Sequence, residues 1–353
     1  MSILGSGFAN NCLAFLDQAP QPPSIDSVQA AMSILYNVGA VESHGDCVQP
    51  LQTLTSLGAH PAKLPVDVKL GKMLIYGALF RCIDPILTIA ASLSTTKSPF
   101  SAFANEAAAK AKQRVFFDAD SDFMTYCNVW HTYSEASEQS TSAARKFCNE
   151  NYLNFVALRE IGDARRQFLD LLCNIGFVAK TDLKKLKTCR YNQHAKLKEV
   201  VHAVICAGLY PNVAYLEQSS PKQYSLWQIK EHIYFHKNSV NATKKHFSNS
   251  ERFVLFHEKF GTQHRTSVST TAFVHPFALI LFGGLVEVKH TERTVVVDSW
   301  MNIGMAAQTG VLLREIRTRF SELLQRMIEG ADANEIEQMD SGLVDGIIKI
   351  LNN

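Results

Sequence analysis

The chain predicts a mainly α-helical protein that carries one small β-barrel late in its length. Three observations lead there. Between residues 67 and 93 two segments are apolar nearly all round, as buried helices are. From about residue 104 to 207 the apolar residues keep a helical spacing, strongest at Ile161, Phe168, Leu171, Leu172 and Ile175. From Pro211 onward the spacing shortens to that of strands separated by turns.

Taken in order, Pro20, Pro22 and Pro23 break the chain, and Ser24 stands where a helix N-cap belongs. Val28, Ala31, Met32, Leu35 and Val38 recur at helical spacing, and Gly39 closes that helix as a C′ residue. Ala40 to Val48 predicts a short strand pair turning at Gly45-Asp46, and Leu51 to Leu57 a following helix. Helix, hairpin and helix in this order suggest a small winged-helix unit. Asp67 can cap a helix reaching Phe80, and Asp84-Pro85 reads as an N-cap with proline at N1 of a helix to Leu93. Val200, Val201, Val204 and Ile205 mark a later helix that Gly208 ends. Ile229–Phe235, Phe253–Phe260, Ser267–Val274 and Val286–Lys289 read as strands, and about five short strands suggest a small barrel, foremost an OB-fold. Ile303, Leu312, Leu313, Ile316, Phe320, Leu323, Leu324 and Met327 make one long amphipathic helix, and Ile336 to Leu351 a shorter one. The blocks are therefore 1–66 (partial winged helix), 67–208 (helical), 209–300 (barrel) and 301–353 (C-terminal helices), as 353 residues exceed what one core organises.

A net charge of +2 announces no partner by itself, but its distribution is uneven. Lys180, Lys184, Lys185, Lys187 and Arg190 face only Asp182, and the stretch from Lys222 to Arg265 is also basic. Glu329, Asp332, Glu335, Glu337, Asp340 and Asp345 make the C-terminal stretch acidic. The eight cysteines form no C-x-x-C pair and read as reduced thiols of a cytoplasmic or nuclear protein. The apolar runs are too short to span a bilayer, so no membrane partner is expected.

Enzyme motifs are missing. A phosphate-cradling loop needs G-x-x-x-x-G-K-[ST], so that glycine amides wrap the phosphates and a hydroxyl ligates magnesium. The nearest candidate, Gly71-Lys72, is preceded at the first glycine position by Val66, is followed by Met73 and sits in a predicted helix. No Asp-Glu dipeptide occurs anywhere. His257-Glu258 begins an H-E-x-x-H pattern that Gly261 ends, and His232 with His236 lacks a third metal ligand. Asp118, Asp120 and Asp122 precede a helix, whose N-terminus they stabilise.

Leu54 to Tyr76, continuing through Cys82–Ala91 and Ser98–Phe100, resembles the helicase-associated region that follows the two motor domains of DEAH-box/RHA-type RNA helicases. Phe147–Leu153, Asp163–Leu169, Cys206–Ala214, Phe256–Lys259 and Leu281–Gly284 follow in the family's order. The loop His236-Lys-Asn-Ser-Val-Asn241 resembles the family's His-Pro-Ser-Ser-Val loop, with Lys237 and Asn238 in place of the usual Pro and Ser. The match runs from about Ser24 to Met327. Gly71–Ile75 and the acidic tail resemble the cytoplasmic branch acting on the ribosomal small subunit and on folded messenger RNA.

The resemblance implies a winged helix, a helical ratchet domain and an OB-fold without the RecA-like motor. ATP and Mg would then belong to motor domains joined in cis or in trans, and this chain holds no cofactor. Its partners would be single-stranded or structured RNA, including the ribosomal small subunit. The loop His236, Lys237, Asn238, Ser239 and Asn241 would lie near the exit of the RNA channel, with Lys259 and Arg265 adding charge. Small polar residues with His and Lys offer donors to phosphate and sugar oxygens, which position RNA without reading its sequence. Arg165 and Arg166 either reach the channel or pair with acids such as Glu160. Trp227 and Phe235 either stack bases or fill the barrel. Two readings stay open, the accessory half of an RNA helicase and a free-standing ATPase-free RNA- or ribosome-binding module. The first draws on the apolar faces of Val28, Leu35 and Val38, expected to be partly uncovered for want of an opening helix.

Overall fold

The computed structural model describes residues 2–5, 11–44, 51–55, 58, 66–101, 106–179, 189–220, 223–248, 251–261, 265–329 and 333–352. They divide into two compact units, one of Met1–Met73 with Phe277–Asn353 and one of Leu74–Pro276.

The chain opens with the short helices α1 (Ser2–Gly5) and α2 (Cys12–Leu16), followed by α3 (Ile25–Val38). Ser24 caps α3 by accepting the Ser27 N–H, and Gly39 ends it at φ 76°, in the left-handed region glycine adopts without strain. β1 (Val41–His44) and β2 (Leu51–Leu54) pair antiparallel, Val41 opposite Leu54. Leu51–Leu54 is thus a strand and not the expected helix, because it satisfies the backbone groups of β1, a tertiary demand no local spacing records. The turn at Gly45-Asp46 lies outside the described residues. Cys12, Val28, Met32 and Val41 form a buried cluster, joined by Leu13, Leu16, Leu35 and Leu54. The face of α3 expected to stand uncovered is therefore covered, since α2 folds onto it.

The helix α4 (Val68–Leu79) starts after Asp67, whose carboxylate accepts the Lys69 N–H at 2.8 Å. Next, α5 (Ile83–Ser94) has Cys82 and not Asp84 at its N-cap. The Asp84 N–H donates to the side chain of Asn192 at 2.8 Å, so the cap comes from a distant residue and Asp84 is released for another role. Pro85 still falls in the first helical turn, where its missing N–H costs nothing.

Four more helices lead on: α6 (Glu106–Gln113), α7 (Asp122–Gln139), α8 (Thr141–Glu150) and α9 (Phe155–Asn174). Ser121, Ser140 and Asn154 cap the last three through their side chains. The buried helix α10 (Lys198–Leu209) runs past Gly208 and stops before Pro211, which disfavours helix in the residue ahead of it.

Five strands then close a barrel in the order β3-β4-β5-β7-β6. They are β3 (Val213–Ser220), β4 (Gln223–Gln228), β5 (Glu231–Phe235), β6 (Phe253–Gly261) and β7 (Thr266–Val274). Leu216, Leu226, Ile233, Val254, Phe256, Val268 and Phe273 fill it. The predicted OB-type barrel is present, but its strands are not all the predicted ones. Closure pairs Val213 with Leu255 and leaves no edge for Val286–Lys289. That segment is instead β8 of an antiparallel three-stranded sheet with β9 (Thr294–Val297) and β10 (Met301–Gly304), beyond the helix α11 (Pro276–Phe282). Ile303, expected in the long helix, opposes Val295 in this sheet. The long helix α12 covers Ala307–Glu329 and α13 covers Ala333–Leu351. Arg317 of α12 donates to the carbonyls of Ile280, Gly283 and Gly284, satisfying the C-terminal end of α11. No helix among the described residues is long and apolar enough to cross a membrane.

Candidate nucleic-acid interface

The loop after β5 is a tight turn on a rigid base. The His236 N–H donates to the Val268 carbonyl at 2.8 Å and the Ser239 N–H to the His236 carbonyl at 2.9 Å. Lys237 and Asn238 occupy the tip and are exposed, while His236 is half-buried and its Nδ1 accepts the Asn238 N–H at 3.4 Å. Ser239 and Asn241 were expected to offer donors to RNA, and here the structure corrects the sequence. Both are buried. The Ser239 hydroxyl bonds Thr271 Oγ1 at 2.8 Å and accepts the Asn241 N–H. Asn241 Nδ2 donates to Thr271 Oγ1 at 2.9 Å and to the Asp120 carbonyl at 3.2 Å. These two side chains hold the loop from beneath.

The centre of that support is Asp122, the first residue of α7. One carboxylate oxygen accepts the Val240 N–H at 2.9 Å and the other accepts the Thr271 N–H at 2.7 Å. Its role is therefore to tie the loop and β7 to the helical part, and Ser121 is the residue that caps α7. Burial pushes the Asp122 carboxyl above its ordinary range, and the hydrogen bonds from Thr271, Val240 and Ser239 pull it back.

Asp118 and Asp120 depart from the expected helix-end role in the same way. Lys198 bridges both of them, and Lys244 bridges Asp120 and Glu251. Partial burial raises the Asp120 carboxyl, but the hydrogen bond and charge of Lys244, with the charge of Lys198, hold it below 3.8. For Lys244 burial acts downward, and Asp120 and Glu251 lift its ammonium above 10.5. A depressed acid stabilises the fold above its unfolded pKa and loses that as pH falls; a raised base stabilises it below its unfolded pKa and loses that as pH rises. The network therefore stabilises fully between about pH 3.8 and 10.5. Lys244→Met should cost about 1–2 kcal/mol in denaturant unfolding at pH 7, a partly exposed network being worth less than a buried one. The wild-type advantage should shrink below pH 3.8; an equal loss at pH 3 and pH 7 would refute the network.

Lys259 is exposed and already bound to Glu231 at 2.6 Å and Gln228 at 2.8 Å. The Arg265 guanidinium lies over the Tyr234 ring, 4.1 Å from its centre. Phe235 packs against the barrel core, and Trp227 is half-buried with its ring 4.9 Å from His232.

The two arginines of α9 part company. Arg165 was expected to reach RNA or to pair with acids such as Glu160, and it pairs with an acid, Asp84. It is buried, bonded to the Asp84 carboxylate and carbonyl and to Thr88, and lies over Trp130. Glu160 pairs with Lys97. Arg166 is exposed and paired with Asp163. Both line an open pocket of about 380 Å³ with Trp130, Tyr133 and Arg159, which shares no residue with the His236–Asn241 loop. Lys180, Lys184, Lys185 and Lys187 lie outside the described residues.

Nothing at Gly71-Lys72 fits a nucleotide phosphate. Both residues are inside α4, and the Lys72 ammonium is buried and donates to the Val38 carbonyl at 2.9 Å. Among the described residues no three His, Cys, Asp or Glu side chains gather as a metal site.

Three family models match in sequence order. Residues 67–126 match the ratchet-like helicase associated domain (HA2), residues 201–286 an oligonucleotide/oligosaccharide-binding fold, and residues 293–353 a C-terminal domain in RNA helicases. The chain is 33% identical, over 91% of its length, to the DExH-box ATP-dependent RNA helicase DExH4, chloroplastic, of Arabidopsis thaliana. It is 30% identical, over 96% of its length, to the human ATP-dependent DNA/RNA helicase DHX36, and likewise to the human ATP-dependent RNA helicase DHX29. It spans 24%, 33% and 25% of the lengths of those three proteins.

Proposed function

The chain belongs to the helicase-associated C-terminal region of the DEAH/RHA-type RNA helicases, and on that premise we propose that it guides single-stranded RNA past the His236–Asn241 loop. The observation that carries this reading is the exposed Lys237-Asn238 tip, held on a buried frame of Asp122, Ser239, Asn241 and Thr271. A mobile lysine must be ordered again on each encounter. One whose loop backbone is already hydrogen-bonded in place avoids the backbone part of that cost, leaving only its side chain to be ordered.

In this reading Lys237 and Asn238 contact phosphate and sugar oxygens, and His236 borders the path. Lys259, Arg265 and Arg166 reach RNA by leaving or sharing their present partners. Such contacts position RNA without selecting its sequence. RecA-like motor domains, joined in cis or in trans, would supply ATP and magnesium chemistry, and this chain's residues would orient the strand they pull. We extend the proposal to the ribosomal small subunit as a carrier of that RNA, on the wording of Gly71–Ile75 and the acidic C-terminal stretch.

Fluorescence anisotropy with a labelled single-stranded RNA tests the path. Affinity should fall steeply with salt, as each neutralised phosphate releases counterions. Lys237→Glu should weaken binding to all sequences alike and lower the slope of log K against log salt by about 0.7 or more. Binding that is unchanged between low and high salt would sink the reading.

A further inference from the structure

We propose that the outer face of strands β5, β7 and β6 is a stacking platform for unpaired nucleobases, continuous with the Lys237 loop. The proposal rests on the RNA path described above and adds to it a surface that recognises bases.

Strand register assembles the platform. Tyr234 on β5 opposes Ser267 on β7, and Ser267 opposes Phe260 on β6, so these three share one face. Trp227 opposes His232 on the neighbouring pair, β4 and β5. The rings form two groups: Trp227 to His232 at 4.9 Å and His232 to Tyr234 at 4.5 Å, and, across Ser267, His236 to Phe260 at 6.1 Å. His236 begins the loop whose tip is Lys237-Asn238, so the second group adjoins the loop.

These outer rings are not needed by the barrel core. Ile233 and Phe235 point inward from β5, and the core is filled by residues of all five strands. Tyr234 is 38% and Phe260 47% exposed. Leaving two large aromatic side chains partly in water is unfavourable for folding, and Tyr234 stands beside a cation. The Arg265 guanidinium already lies over the Tyr234 ring, and Lys237 is exposed at the loop tip. On the same face Glu258 opposes Ser269 and lies 3.9 Å from His257.

Aromatic faces beside cations fit a single strand, because each base offers a π-face to a ring while its phosphate takes the charge. A duplex cannot use such a surface, since its base faces are covered by their neighbours. An apolar protein segment could use the rings but would leave the cations unmatched.

The test uses the whole chain and three fluorescein-labelled probes of about 12 nucleotides: oligouridylate, an abasic strand with the same phosphates, and an RNA duplex. Wild type should prefer oligouridylate to the abasic strand by about tenfold or more. The Tyr234→Ala/Phe260→Ala double variant should lose that preference and keep its salt slope, both positions being exposed enough for folding to survive. Lys237→Glu should lose salt slope and keep the preference. If wild type binds both single strands equally while Lys237→Glu still weakens binding, the platform is wrong and the RNA path stands; the face would then suit a protein partner. If neither strand binds, both proposals fall.

Discussion

Asp122→Ala should lower the stability of the protein by about 3 kcal/mol and weaken RNA binding even in the molecules that remain folded. The substitution removes the acceptor of two backbone N–H groups, those of Val240, which is half-buried, and Thr271, which is fully buried. Each orphaned donor costs about 1–3 kcal/mol, partly offset because a buried carboxylate no longer has to be desolvated. For a unit of this size the loss corresponds to a fall in Tm of about 6–12 °C. Asp122→Asn should recover only part of it, since the amide nitrogen would meet an N–H donor with another donor.

The pH dependence has a definite sign. The folded carboxyl of Asp122 titrates above 3.8, so its ionisation in the buried site costs stability that appears as pH rises through the window just above 3.8. The Asp120–Lys244 network gives the opposite slope, below 3.8. Calorimetry across that range separates the two, and an Asp122→Ala protein with wild-type Tm and wild-type RNA affinity would overturn the supporting role.

Arg165→Ala should be nearly as damaging to stability and leave RNA binding per folded molecule unchanged. The guanidinium holds the carbonyl and carboxylate of Asp84, the Thr88 hydroxyl and the face of Trp130 together. Removing Arg165 strips the Thr88 and Trp130 contacts and leaves Asp84, its side chain 32% exposed, to water alone, which costs about 2–3 kcal/mol. Arg165→Lys should rescue little, because an ammonium cannot reproduce the planar fork or the stacking. Denaturant unfolding and anisotropy on the same samples decide the matter. A normal Tm with reduced RNA affinity would restore Arg165 as an RNA contact.

Much of this architecture was legible along the chain. Ser24, Gly39, Asp67 and the all-apolar stretches of α4 and α5 mark their own structure, because caps and helical periodicity act within a few residues. The family motifs, in order over nearly the whole chain, carried the identity. The barrel was legible as a change of period near Pro211, but its membership was not. Val286–Lys289 alternates as a barrel strand would, and closure between β3 and β6 excludes it. Leu51–Leu54 likewise became a strand through its pairing with β1.

For the candidate site the division falls within one loop. The exposure of Lys237 and Asn238 was legible because an exposed tip depends only on local polarity and the turn. Ser239 and Asn241 have the same kind of side chain, yet they face inward, because Thr271 and the Asp120 carbonyl, 30 and 121 residues from Asn241 in the chain, wait for them. The three aspartates before α7 look like helix-end charges, and nothing nearby in sequence reveals Lys198, Lys244 or Glu251. By itself the sequence determined most of the helices, the presence of a barrel and the family. The tertiary structure decided which polar side chains face solvent and which carry the frame, since burial and hydrogen-bond satisfaction are set by partners that only folding brings within about 3 Å.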